Sequence, residues 1–278
     1  MAHTNESIVS EFVLRGLSNS WELQLFFFAI FSVVYVTSVL GNILIIVIIS
    51  SDSHLNSPMY FLLSNLSFLD ICQSNFATPK MLLDFFVEHK TISFEGCMAQ
   101  IFLLHSFVGS EMMLLVAMAY DRFIAICKPL HYSKIMNRRL CIIFVFTSWA
   151  VGILHSVSHL VFTVGLPFCG PNEVDSFFCD LPLVIELACM DTYEMEIMTL
   201  TNSGLISLSC FLALIISYTI ILITVWRRSS SGSSKALSTL TAHITVVILF
   251  FGPCIYFYIW PFSRLPMLLT CSDITGIQ

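Results

Sequence analysis

Between Arg139 and Glu173 the chain carries not one charged side chain, and similar gaps recur over residues 23–51, 53–69, 197–226 and 236–263. A helix that crosses a bilayer needs roughly 20 apolar residues, because in hydrocarbon every backbone amide must find its partner within the segment. Repeated gaps of this length specify an all-α membrane protein with several crossings. Hydrophobic residues make up 57% of the chain and charged residues only 11%, whereas a soluble domain carries about 25% charge. Lipid is therefore the surrounding partner. The 25 Phe and 12 Met residues suit packed helices and adaptable apolar cavities, and the net charge of −6 argues against nucleic acid.

The gaps divide the chain into a polar tail (1–24), a transmembrane bundle (25–262) and an atypical C-terminal tail (263–278). Six spans are expected, at about 25–49, 58–80, 97–126, 140–163, 196–226 and 237–260. The third is the least hydrophobic, interrupted by Glu111 and closed by Asp121-Arg122, which suits a central helix shielded from lipid. No basic segment followed by an apolar run opens the chain, so the first span is expected to act as its own insertion signal.

Charge sets the expected orientation. Eight of the 12 basic residues (Arg122, Lys128, Lys134, Arg138, Arg139, Arg227, Arg228 and Lys235) fall in the connections after spans 3 and 5, while the acidic segment after span 4 has no Lys or Arg. Basic connections stay in the cytoplasm, which places the amino terminus outside and exposes the acceptor Asn5-Glu6-Ser7 to glycosylation. Cys97, Cys169, Cys179 and Cys189 then share the oxidising side. Two disulfides are available to them, and spacing does not decide the pairing.

Leu55–Asp70 (LNSPMYFLLSNLSFLD), Met118–Cys127 (MAYDRFIAIC), Lys128–Tyr132 (KPLHY), Ser217-Tyr218 and Lys235–His243 (KALSTLTAH) resemble the signature stretches of vertebrate odorant receptors, a family of class A G-protein-coupled receptors. The resemblance runs from the N-terminal tail to Phe262. It implies a rhodopsin-like helix bundle at the plasma membrane that binds small volatile molecules. It also implies coupling to a stimulatory heterotrimeric G protein that raises cAMP, with Asp121, Arg122, Tyr218, Lys235 and His243 in the coupling and activation region.

From helical spacing, Leu104, His105, Val108, Gly109 and Met112 share one face of span 3. Asn202, Ser203, Ile206, Phe251, Ile255 and Tyr258 match positions that border the odorant cavity in similar receptors. His105, Asn202 and Tyr258 are the expected polar anchors in a largely apolar lining. Asp70 and Glu111 place two acids at hydrocarbon depth, where a sodium ion between them, or protonation within a polar network, must relieve the burial of charge. No other cofactor is expected. His155 and His159 stand four residues apart, but HSVSH lacks the Glu of a zinc protease, so packing or hydrogen bonding is favoured over metal. Arg227-Arg228 before Ser229, Ser230 and Ser231 reads equally as a phosphorylation site or a flexible linker. No nucleotide-binding loop or nucleophile elbow occurs, so an enzyme is not expected.

Two departures from the family pattern are conservative: Phe251 and Phe123 stand where Tyr is frequent. The third is larger, since Leu268–Gln278 resembles no part of a seventh span, and the tail reads as a premature or alternative ending. That reading supports an alternative function, a truncated product that does not signal, retained in the endoplasmic reticulum and associating with other receptors. A transporter would show an internal repeat or broken helices, and neither is present.

Overall fold

A computed structural model describes residues 9–18, 20–168, 172–190, 193–227, 241 and 243–252. Eight helices and three short strands occur among them. Strand β1 spans Glu11–Leu14, β2 Thr91–Ser93 and β3 Glu173–Val174. The helices are α1 (Trp21–Ser51), α2 (Pro58–Asp84), α3 (Phe94–Cys127), α4 (Tyr132–Ile135), α5 (Arg138–Val164), α6 (Leu181–Ile185), α7 (Tyr193–Arg227) and α8 (His243–Gly252). By length and composition, α1, α3, α5 and the Ile197–Arg227 part of α7 suffice to cross a membrane. The described chain is thus mostly helical, with four segments long and apolar enough to cross a membrane.

Local chemistry fixes the helix ends. Pro58 occupies the first turn of α2 after an extended Ser57, where its missing N–H would have had no partner and its fixed φ already suits a helix. The Asp52 backbone N–H donates to the Ile48 carbonyl at the end of α1, and its side chain accepts the His54 N–H at 2.8 Å to cap the 3-10 turn that follows (Ser53–Leu55). Lys128 leaves the helical region (φ −130°, ψ 54°) because Pro129 crowds the residue before it, and α3 stops there. No side chain of α1 is buried, as expected of a helix that is apolar all round and faces lipid. Most of the apolar stretch of α3, by contrast, is buried.

The chain forms two compact units. The first takes residues 1–114 and 138–199. At one end of it, a core of Phe12, Leu14, Ile92, Cys97, Ile101, Val174, Cys179, Leu181 and their neighbours sits beneath a three-stranded sheet of order β2-β1-β3. β1 pairs antiparallel with β2 (Phe12 opposite Ile92) and parallel with β3 (Leu14 opposite Val174). The segment expected as a tail therefore contains a strand whose Phe12 and Leu14 are buried. Arg15 adds ion pairs to Glu173 and Asp175, both 3.6 Å, though all three groups are largely exposed and such pairs contribute little. Gly16 ends the strand at φ 73°, a conformation that favours glycine.

Within the same unit α3 and α5 meet through small residues. A Cβ on Gly109 would lie 3.0 Å from the Gly152 Cα, and Ser156 donates to the Phe102 carbonyl. Small side chains let two helix backbones approach closely, the usual device where lipid supplies no hydrophobic drive. The second unit takes residues 115–137 and 200–278. In it Ser217 donates to the Ala119 carbonyl at 3.4 Å, and Phe251 is fully buried against Phe211 and Phe250, with ring centroids 5.9 and 5.2 Å apart.

Candidate functional site

The residues at the end of α3 in the second unit form its polar centre. Asp121 is buried and accepts the Tyr132 hydroxyl at 2.8 Å. Asp121 and Arg122 do not form an ion pair: among the described residues the ion pairs within 4.0 Å are those of Arg15 and Lys80. The reason is helical geometry, since consecutive residues point in different directions around the axis. Arg122 interacts electrostatically with Asp121, with Tyr218 of α7 and with His243 of α8, and its Nε is buried without a hydrogen-bond partner. Two residues far from it in sequence, Tyr218 and His243, thus lie within electrostatic range of its guanidinium. Lys235 lies outside the described residues. Tyr132 belongs to the KPLHY stretch, but nothing in its spacing from Asp121 signalled the bond, because a 3-10 turn (Pro129–His131) must first fold the chain back.

In the first unit, Asp70 of α2 and Glu111 of α3 lie close enough to interact electrostatically, with Asn42 of α1 near Asp70. Glu111 is 4% exposed and its Oε1 has no partner among the described residues. An orphaned carboxylate oxygen facing a second carboxyl fits either a shared proton or a cation. Asn42 was missed from sequence; an amide in an apolar helix is the signal that could have singled it out.

Of the expected ligand contacts, Leu104, His105 and Val108 are half-buried and Gly109 and Met112 buried, all in the first unit. His105 Nδ1 is 2.8 Å from the Ile101 carbonyl, and its ring packs against His159 and His155 with centroids 5.1 and 6.1 Å away. Gly109 faces the α5 backbone. Asn202, Ser203, Ile206 and Phe251 belong to the second unit, with Ser203 and Phe251 buried. Ile255 and Tyr258 lie outside the described residues, as does the glycosylation acceptor Asn5.

Leu104 also borders a cavity of about 300 Å³ between α1 and α2. Phe31, Val34, Met81, Phe177 and Phe178 give it an apolar wall, and Tyr35, Ser38, Ser74 and Thr78 add hydroxyls.

The disulfide set is partly resolved. Cys97 is bonded to Cys179 across 82 residues of sequence, and Cys189 is also disulfide-bonded; Cys169 lies outside the described residues. Gln100 supports this end, its Oε1 accepting the Cys179 N–H at 3.1 Å. In the adjoining loop, burial raises the Asp180 carboxyl above its usual 3.8, partly offset by a hydrogen bond from the Leu181 backbone.

The olfactory receptor family profile matches residues 31–268. Olfactory receptor 4K1 of Homo sapiens is 92% identical over 267 residues, which cover 96% of this chain and 86% of the relative. Human olfactory receptors 4K3 and 4K15 are each 63% identical, over 96% and 95% of this chain and 85% and 81% of their own lengths.

Proposed function

The chain belongs to the olfactory receptor family, and from that premise we propose that it detects a small volatile molecule and couples to a stimulatory heterotrimeric G protein, raising cAMP. As a member of that family it is a multi-pass plasma-membrane receptor and not an enzyme. The single observation that carries the coupling step is the buried Arg122 Nε without a hydrogen-bond partner, within electrostatic range of Tyr218 and His243. An arginine is always charged and presents five donors, so a helix movement that separates these groups frees a guanidinium for a partner's carbonyls or carboxylates. With the amino terminus outside, as the basic connections argue, this end faces the cytoplasm.

The odorant contacts proposed are those named from sequence, with His105, Asn202 and Tyr258 as polar anchors. A ligand shifts the receptor only through unequal affinity for its resting and active arrangements. Asp70, Glu111 and Asn42 would hold a sodium ion or a shared proton, which stabilises whichever arrangement keeps the carboxyls together. No observation favours the alternative of a retained product that does not signal.

The test is a cAMP assay in cells that display the chain at the surface, run against a panel of volatile compounds. Ligand-dependent cAMP that disappears in Arg122→Ala at equal surface level is the expected result. Surface display with no response to any compound, or full signalling by Arg122→Ala, overturns the reading.

A further inference from the structure

We infer that the cavity between α1 and α2 is a second binding site, one that takes a small uncharged molecule whose apolar frame carries a single hydroxyl. The site stands apart from the odorant contacts proposed above, of which only Leu104 borders it.

The polar groups on its wall mark it. Ser38 of α1 and Ser74 and Thr78 of α2 line the cavity, and among the described residues none of their hydroxyls makes a hydrogen bond. A helical serine or threonine can satisfy itself on the carbonyl four residues back, as Ser50, Thr163, Thr219 and Thr224 do at 2.7–2.8 Å. Ser38, Ser74 and Thr78 do not, which leaves their protons free to donate into the cavity. Ser74 and Thr78 stand four residues apart on α2 and so share a face. Tyr35 adds a further oxygen. Its hydroxyl donates to Asn75 Oδ1 at 2.7 Å, which ties α1 to α2 and leaves the phenolic oxygen as an acceptor.

No charged side chain lines the cavity, so an ion would enter apolar surroundings without a counter-charge, at a high cost. The ligand is therefore neutral. Three hydroxyls able to donate, beside a Tyr35 oxygen able only to accept, match a ligand hydroxyl, which accepts and donates at once. A carbonyl only accepts. The rest of the wall is apolar and includes the rings of Phe31, Phe177 and Phe178 together with Met81. At about 300 Å³ the cavity is at the small end of ligand-site volumes, which selects one compact molecule over a lipid or sterol.

Part of this wall is fixed in advance. Phe177 and Phe178 meet edge to face with centroids 5.0 Å apart. The next residue, Cys179, is held by its bond to Cys97 and by donation of its N–H to Gln100 Oε1 at 3.1 Å. A wall already ordered loses little freedom when a ligand arrives. Met81 is unbranched and adapts to the ligand's outline.

Direct binding of menthol, menthone, p-menthane and p-menthane-3-carboxylate to the full chain in nanodiscs of neutral lipid at pH 7 tests the site without reliance on signalling. The four share one carbon skeleton and differ in the polar group. Menthol is expected to bind about tenfold more tightly than p-menthane, the effect of two hydrogen bonds, with menthone between them and the carboxylate weakest. Ser74→Ala/Thr78→Val should bring menthol to the level of p-menthane, and unchanged p-menthane binding reports that this variant is folded. If it binds neither, the single change Thr78→Val decides, with an expected loss for menthol of about threefold. Ala77→Phe, which fills the cavity, should remove both menthol and p-menthane; if its thermal midpoint shows that it does not fold, the hydroxyl variants decide. Menthol bound no better than p-menthane or menthone, a carboxylate that equals menthol, or menthol binding untouched by the hydroxyl variants or by a folded Ala77→Phe overturns the inference. Displacement of menthol by cholesterol added to the bilayer would give the cavity to a membrane sterol and overturn the small-molecule assignment.

Discussion

Replacing Gly152 with alanine sets two effects of known sign against each other. Alanine is the better helix former by about 0.5–1 kcal/mol, and in an open position that gain would show. Gly152 is not open: a Cβ there would overlap the Ser106 carbonyl oxygen and Ser110 Oγ, and would come 2.8 Å from the Ser110 nitrogen. Two of these atoms are backbone, so no side chain can turn away and α3 must separate from α5. Forcing a methyl into a packed interface costs about 1–3 kcal/mol, more where backbone must shift, so packing wins and Gly152→Ala loses about 1–2 kcal/mol net. At about 2–4 °C per kcal/mol for a chain of this size, its thermal midpoint should fall by several degrees. Gly41 supplies the control, since a Cβ added there would meet nothing within 4 Å; Gly41→Ala should gain the helix-propensity term and melt slightly higher. Fluorescence-detected size-exclusion chromatography after heating in mild detergent measures both. A Gly152→Ala midpoint at or above the wild type refutes the close-approach argument.

Three further changes probe the remaining features. Tyr132→Phe leaves the buried Asp121 carboxylate short of its 2.8 Å partner, so it should lose about 1.5–3 kcal/mol, the range for hydrogen bonds to charged groups, and unchanged thermal stability would contradict the bond. Cys97→Ser opens a link across 82 residues, for which chain entropy predicts a loss of about 4–5 kcal/mol; surface staining should collapse alike for Cys97→Ser and Cys179→Ser, and normal staining of either refutes the estimate. Asp180, raised above 3.8 by burial, is favoured in its protonated form, so its contribution is complete below 3.8 and lost as pH rises through the folded-state value. Asp180→Asn should therefore melt higher than the wild type at pH 7, with the gap narrowing toward pH 4, and a gap that widens on acidification reverses the sign.

What could be read in the sequence was whatever the bilayer enforces. The uncharged gaps located helices because hydrocarbon tolerates no unpaired backbone, and Pro58 and Lys128-Pro129 marked helix ends through constraints local to the residue. β1 was illegible for the opposite reason: four residues carry little pattern, and burial of Phe12 and Leu14 depends on Ile92 and Val174, which only the folded chain brings alongside. The value of Gly152 was hidden likewise, since a glycine reveals close approach only once the facing helix is known.

Asp121 and Arg122 carry this distinction into mechanism. Adjacency in sequence suggests a contact ion pair, but residues i and i+1 of a helix diverge: the acid accepts from Tyr132 and feels Arg122 without touching it, and Arg122 also acts on Tyr218 and His243. If activation broke an Asp121–Arg122 pair, neutralising Asp121 would free the guanidinium directly. Without that contact, neutralising Asp121 removes both a charge that acts on Arg122 and the acceptor of the Tyr132 hydroxyl, whereas a change at Tyr218 or His243 alters the surroundings of Arg122 and leaves the Tyr132 bond in place. In the proposed signalling step, Asp121→Asn, Tyr218→Phe and His243→Ala should therefore each shift ligand-independent cAMP at matched surface level, and an unchanged basal level in Asp121→Asn would refute its electrostatic link to Arg122.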